Sequence, residues 1–158
     1  MLYKKYTIFD NTMEIMVPSC LKMEHERFMA GCNWFSQDKK MAVNAAKGSG
    51  GLSDEGLYLR LGEYYKRFSA NMAGFECGKI SRRDICGCPF GEMRYTTDIS
   101  GYSFYNVFML GRLKDRELVI NMQGVDGGDG EIRGIFDNVS ASVRIFGERE
   151  GGGGSDNQ

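Results

Sequence analysis

Histidine is nearly missing from this chain, tryptophan and proline are scarce, and neither sign of charge is in excess. With His25 the sole histidine, any Ser-His-Asp or Cys-His nucleophilic site would have to use it. It stands in LKMEHERF between two glutamates, a setting that predicts a solvated surface position. The balance of 20 Lys and Arg against 21 Asp and Glu excludes a surface that tracks phosphates, so nucleic acid is not an expected partner. No apolar run approaches the ~20 residues of a membrane-spanning helix. The opening MLYKKYTIFDN has no apolar stretch behind its lysines and does not read as a signal peptide. The five cysteines, at 20, 32, 77, 86 and 88, are odd in number and scattered, which argues against a disulfide framework. Reduced thiols in the cytoplasm are the expectation.

What the chain does have is core material. Apolar residues make up 42% and aromatics 12%, enough for a globular α+β domain over residues 1–147. The remaining stretch, 148–158, is Gly-rich, has the composition of a linker and is expected to be unstructured. Residues 3–9 and 13–17 read as short strands around Asp10-Asn11, and Pro18 ends the second. Residues 33–37 and 40–46 predict a hairpin around Asp38-Lys39. A glycine-rich connection, KGSGGLSDEG, leads to a helix predicted over 53–72 with Ser53 as its cap. Leu57, Leu61, Tyr64, Tyr65, Phe68 and Met72 form its apolar face. From 75 to 124 the pattern is a four-strand antiparallel meander, and YSFYNVFMLGRL, apolar on both faces, is its covered centre. A second helix carries Ile132, Ile135, Phe136, Val139 and Val143 on one face. Strands in runs with two amphipathic helices imply helices packed on an antiparallel sheet.

Catalytic and cofactor motifs are incomplete. KGSGGLSDEG fits neither G-x-x-x-x-G-K-[ST] nor G-x-G-x-x-G. DGGDGE lacks the ligand spacing of a calcium loop and predicts a turn that caps the second helix through Asp129. Glu92, Asp98 and Glu117 alternate with apolar residues, as solvent-facing strand positions do, and no spacing makes them a catalytic pair. Cys86-Gly87-Cys88 is C-x-C, not the C-x-x-C of zinc knuckles and redox sites. A turn or bulge at Gly87 with half-buried thiols accounts for it. A thiol-redox or zinc-binding protein using Cys77, Cys86 and Cys88 is the alternative.

The order of elements resembles the PsbP-like superfamily, which includes the DcrB-like bacterial proteins, Ran-binding relatives and the Eag chaperones of type VI secretion. The carrying residues are FDNTMEIMVPS, SDEGLYLRLGEYYKRF, YSFYNVFMLGRLKDRELVINM and IFDNVSASVRI, and the likeness spans residues 3–146. Pro18-Ser19-Cys20-Leu21 stands where many members have Trp after the early proline. The resemblance implies an α/β/α sandwich and the role of a non-catalytic adaptor or chaperone that needs no cofactor. The surplus of Met and aromatics around MEIMVPSCLKMEHERFM supplies candidate contacts: Met13, Met16, Leu21, Met23, Phe28 and Trp34. They are expected to hold an apolar helix or strand of a partner protein.

Overall fold

The computed structural model describes residues 1–25 and 31–146. Strands β1 (Tyr3–Ile8) and β2 (Met13–Pro18) form the expected pair, with Ile8 opposite Met13. Their turn is built from three successive left-handed residues, Phe9, Asp10 and Asn11, and Thr12 closes it by donating its N–H to the Ile8 carbonyl at 3.2 Å. Next come β3 (Lys22–His25), β4 (Gly31–Phe35) and β5 (Met41–Gly51), then helix α1 (Leu57–Asn71). The meander is β6 (Glu76–Ile85), β7 (Cys88–Ile99), β8 (Tyr102–Leu113) and β9 (Arg116–Val125). Helix α2 (Glu131–Ala141) and the short β10 (Arg144–Ile145) follow.

Two antiparallel sheets result, β1-β2-β10 and the larger β3-β4-β5-β9-β8-β7-β6. The small sheet and α2 cover one face of the large sheet. Ile8, Met13, Ile15, Val17 and Ile145 pack there with Ile132, Ile135, Phe136 and Val139 against Trp34, Val107, Met109, Ile120 and Met122. Gly124 on β9 lets α2 approach closely: a Cβ there would stand 2.4 Å from Ile132 Cδ1 and 3.1 Å from Phe136 Cζ. On the opposite face, α1 sets Leu57 and Leu61 on Met93, Tyr95, Phe108 and Leu110.

Several expectations are corrected. The glycine-rich connection is strand as far as Gly51, because β9 offers it a ladder, with a register shift between Lys47 and Gly51. Helix α1 starts at Leu57 rather than 53. Ser53 Oγ instead accepts the Gly56 N–H at 3.0 Å, in a turn before the helix, while Asp54 pairs with Arg112 at 3.1 Å. Asp129 does accept the Glu131 N–H at 3.0 Å, with Gly130 as the capping residue. Strand β3 adds an element that had no sequence signal. The expected unstructured tail, Phe28 and the side chain of His25 lie outside the described residues.

Candidate protein-binding face

Helix α1 crosses the large sheet diagonally. Near its start, Arg60 donates to Glu117 on β9, and the Tyr64 hydroxyl donates to the same carboxylate at 2.6 Å. The Tyr64 ring lies 4.8 Å from Phe108 on β8, and Phe68 lies 5.6 Å from Tyr95 on β7. The helix therefore drifts by two strands, about 10 Å, along its length. Past Glu117, a wedge of sheet over β9, β5 and β4 is left without a covering element among the described residues.

Register defines the floor of this wedge. One row runs Phe35, Ala42, Gln123, Asn106; the next runs Asn33, Asn44, Asn121, Phe108. Strand β9 alternates buried with half-exposed positions, so Asn121 and Gln123 look into the wedge while Ile120 and Met122 look into the core. Asn44 Nδ2 donates to Asn33 Oδ1 at 2.5 Å and to the Cys32 carbonyl at 3.3 Å. Buried Asn106 donates to Thr97 Oγ1 at 3.2 Å. The Oδ1 of Asn121 is buried without a hydrogen-bond partner, an acceptor left over. Phe104 and exposed Tyr102, 6.5 Å apart ring to ring, form the far rim, with the Lys40 ammonium 5.5 Å over Tyr102. No floor residue is ionisable. The β8 ends of these rows, Asn106 and Phe108, are buried, so the open floor spans three strands, an area on the order of 200 Å². That is well under the ~800 Å² per partner of a typical interface, and it matches one helix or one extended segment.

The expected contact residues fare unevenly. Met13 and Trp34 are 0% exposed and Leu21 is 3% exposed, so their side chains are core. The small sheet and α2 have closed over them. Met23 is half-buried against the same core, and Met16 is 38% exposed on the outer side of β2. Strand pairing separates the cysteines. Cys88 sits opposite Ile85 at the closed end of the β6–β7 hairpin, whereas Cys77 sits opposite Tyr95, eight residues along β6 from Ile85 and about 26 Å away. Cys77 packs toward α1 and Cys86 and Cys88 toward the other core, so the three do not converge. No disulfide joins any of the five cysteines. Burial raises the pKa of Cys32, and that of Cys77 against a smaller opposing backbone hydrogen bond. No group of three or more His, Cys, Asp or Glu among the described residues is arranged to hold a metal ion.

Glu92 and Glu117 are not solvent-facing as their alternation suggested. They are 4% and 8% exposed. Glu117 is met by Arg60 and Tyr64; Glu92 is met by Arg83 at 3.2 Å and Arg94 at 2.8 Å. They lie on opposite faces of the sheet, one beneath each helix, and cannot act as a pair. Sequence reasoning missed the amides of the wedge as well. Their only signal was alternation within AVNAA and VINMQ, and ordinary solvent-facing positions alternate in the same way.

No protein-family model and no curated protein matches the chain in sequence. Solved structures do match its fold. The chain is similar to cyanobacterial PsbP (CyanoP) from Synechocystis sp. PCC 6803, with a TM-score of 0.67 at 9% identity over 91% of this chain and 92% of that one. It is similar to LpqN of Mycobacterium tuberculosis, a protein involved in cell envelope biogenesis, with a TM-score of 0.56 at 10% identity over 92% and 91%. It is also similar to the T6SS immunity protein TplEi of Pseudomonas aeruginosa complexed with "L" peptide. That TM-score is 0.54 at 13% identity over 84% of this chain and 48% of that one. The architecture shared with these proteins, helices on an antiparallel sheet in this order, is the PsbP-like, DcrB-like α+β fold.

Proposed function

We propose that the protein is a non-catalytic binding module, an adaptor or chaperone-like protein of the cytoplasm, whose open wedge beside α1 holds a segment of a partner protein. The observation that carries this reading is the uncharged, half-exposed floor of Asn33, Phe35, Ala42, Asn44, Asn121 and Gln123. A fully apolar occupant would leave those amides unanswered, at a cost of about 1–3 kcal/mol for each one buried. The segment therefore presents apolar side chains to Phe35 and Phe104 and hydrogen-bonding groups to the amides. The peptide-bound structure of TplEi supports the idea that this fold can carry a peptide.

The test places a photo-crosslinking residue at Ala42 and identifies what it captures in cells. A discrete partner should be captured there and lost when Asn121→Arg puts a charge into the floor, with the melting temperature unchanged. Capture that survives Asn121→Arg would refute the wedge as the binding surface.

A further inference from the structure

The lateral end of the large sheet carries different chemistry. Strand β6 is an end strand: β7 pairs with one side of it, and no described strand pairs with the other. Such an edge offers a row of unpaired backbone N–H and C=O groups. Three cations stand along it, Lys79, Arg82 and Arg83. Arg83 is occupied by Glu92 and Ser140, and Arg82 lies 4.0 Å over the Tyr58 ring. Exposed Lys79 makes no ion pair among the described residues.

A bulge at Gly78 shifts the register from Cys77 opposite Tyr95 to Lys79 opposite Arg94. Two like charges directly across a ladder are unfavourable. Arg94 is also fixed in place. Its Nε donates to Glu92 at 2.8 Å and its Nη1 to the Tyr105 hydroxyl at 2.7 Å and Asp137 at 2.6 Å, while Nη2 has no partner among the described residues. Burial opposes its charge, but the bonds to Glu92, Asp137 and Tyr105 prevail and hold its pKa above the ordinary guanidinium value. Arg133 reaches over from α2, 4.4 Å from the Tyr105 ring, with its Nη2 on Asp126 at 3.4 Å. Lys79, Arg94 and Arg133 thus surround one cavity of about 460 Å³ whose lining holds a single carboxylate, Glu76.

We propose that β6 is the docking edge for an extended acidic segment of another protein, which adds as a strand and sets a carboxylate among Lys79, Arg94 and Arg133. Charge chooses this occupant. A second copy pairing antiparallel about Ser81 would bring Lys79 against Arg83, two like charges. An acidic strand answers both cations and relieves the Lys79–Arg94 opposition. Backbone pairing gives affinity, and the carboxylate in the cavity gives selectivity. This surface is separate from the wedge and does not depend on it.

The experiment measures anisotropy of labelled peptides as long as the 10-residue β6, alternating Thr with Glu, Gln or Lys, on the full chain. The Glu peptide should bind about tenfold more tightly than the Gln peptide, and should weaken at about 0.5 M salt. Lys79→Glu and Arg133→Glu, both at exposed positions, should each weaken it about fivefold with the melting temperature unchanged. N-methylation of every second peptide nitrogen, in one phase or the other, should abolish binding, because it removes the ladder and keeps the charge. Asn121→Arg, which is aimed at the wedge, should leave the affinity for the Glu peptide as it is, and a loss as large as that of Lys79→Glu would overturn the assignment to β6. Equal binding of the Gln peptide, indifference to Lys79→Glu, or indifference to both N-methylated phases would overturn the proposal.

Discussion

Glu92 and Glu117 show how single side chains orient whole layers. Each is a carboxylate sunk into the sheet: Glu117 is answered from the helix above it, by Arg60 and Tyr64 of α1, and Glu92 from within the sheet, by Arg83 of β6 and Arg94 of β7, which α2 ties down through Ser140 and Asp137. Removing one partner of such a buried set costs about 3–5 kcal/mol, since the remaining charge stays buried. The Tyr64 hydroxyl carries a pH signature. Burial first, and then the adjoining Glu117 carboxylate, push its pKa up to about 12. Tyr95 is also pushed up to about 12, chiefly by burial, with Cys77 contributing. Both groups are more readily ionised in the unfolded chain. Their stabilisation is complete below the ordinary tyrosine pKa near 10 and is lost as pH climbs through about 12. Urea midpoints should begin to fall near pH 9, where the Cys32 and Cys77 thiols ionise more readily in the unfolded chain, and fall steeply above about pH 10 as the two tyrosines join them. Two of the eight tyrosines should ionise late in a 295 nm absorbance titration, and Tyr64→Phe should remove one of them. A single tyrosine transition near pH 10 in the folded protein would contradict this account.

Among the elements, the β6–β7 hairpin answers what the CGC stretch is. Cys86 and Gly87 are the two turn residues, with φ of 53° and 83°, between paired Ile85 and Cys88. Two left-handed residues in a two-residue loop match the twist of the flanking strands, and Asn-Gly is the preferred sequence there. Gly87→Ala should destabilise the protein by about 1–2 kcal/mol in urea denaturation, from the Cβ penalty at positive φ. Cys86→Asn should leave the fold intact, since asparagine tolerates the left-handed region, although the weak 3.5 Å bond from the Ile145 N–H to the Cys86 sulfur is lost. Collapse of Cys86→Asn together with loss of a bound metal would restore the cluster reading. The meander and both helices were legible in the sequence because their period and turn chemistry are local. Strand β3, at four residues, and β10, at two, carry too little pattern to read. Burial of Met13, Leu21 and Trp34 was illegible for another reason. It is decided by α2 and the closing strand, which join the segment from more than a hundred residues away.

At the scale of the molecule, two cores share one sheet. Strands β7, β8 and β9 give alternate side chains to each: Phe90, Tyr105 and Leu118 to the α2 side, Met93, Phe108 and Val119 to the α1 side. Loss of either layer exposes the back of the other, so the two should unfold together. Separate melting would be favoured by α1 itself, which buries only Leu57 and Leu61 fully and borders the open wedge. Against it stand the ring contacts of Tyr64 and Phe68 with Phe108 and Tyr95, together with the buried Glu117 latch. The single tryptophan, Trp34, reports the α2-side core directly. A Trp34→Phe, Phe68→Trp variant moves the reporter to the α1 side. The test is whether each chain's own fluorescence midpoint coincides with its own far-UV circular dichroism midpoint in urea, which removes any difference in stability between the two variants. Coincidence in both would mean that the open wedge is a feature of a rigid native state, ready for its partner without prior ordering. If the Phe68→Trp signal were lost more than about 0.5 M urea before the dichroism of the same chain, α1 would be an independently opening flap. The wedge would then be one stage of a wider groove, and its occupant could reach the Met93, Tyr95 and Phe108 surface that α1 covers in the closed state.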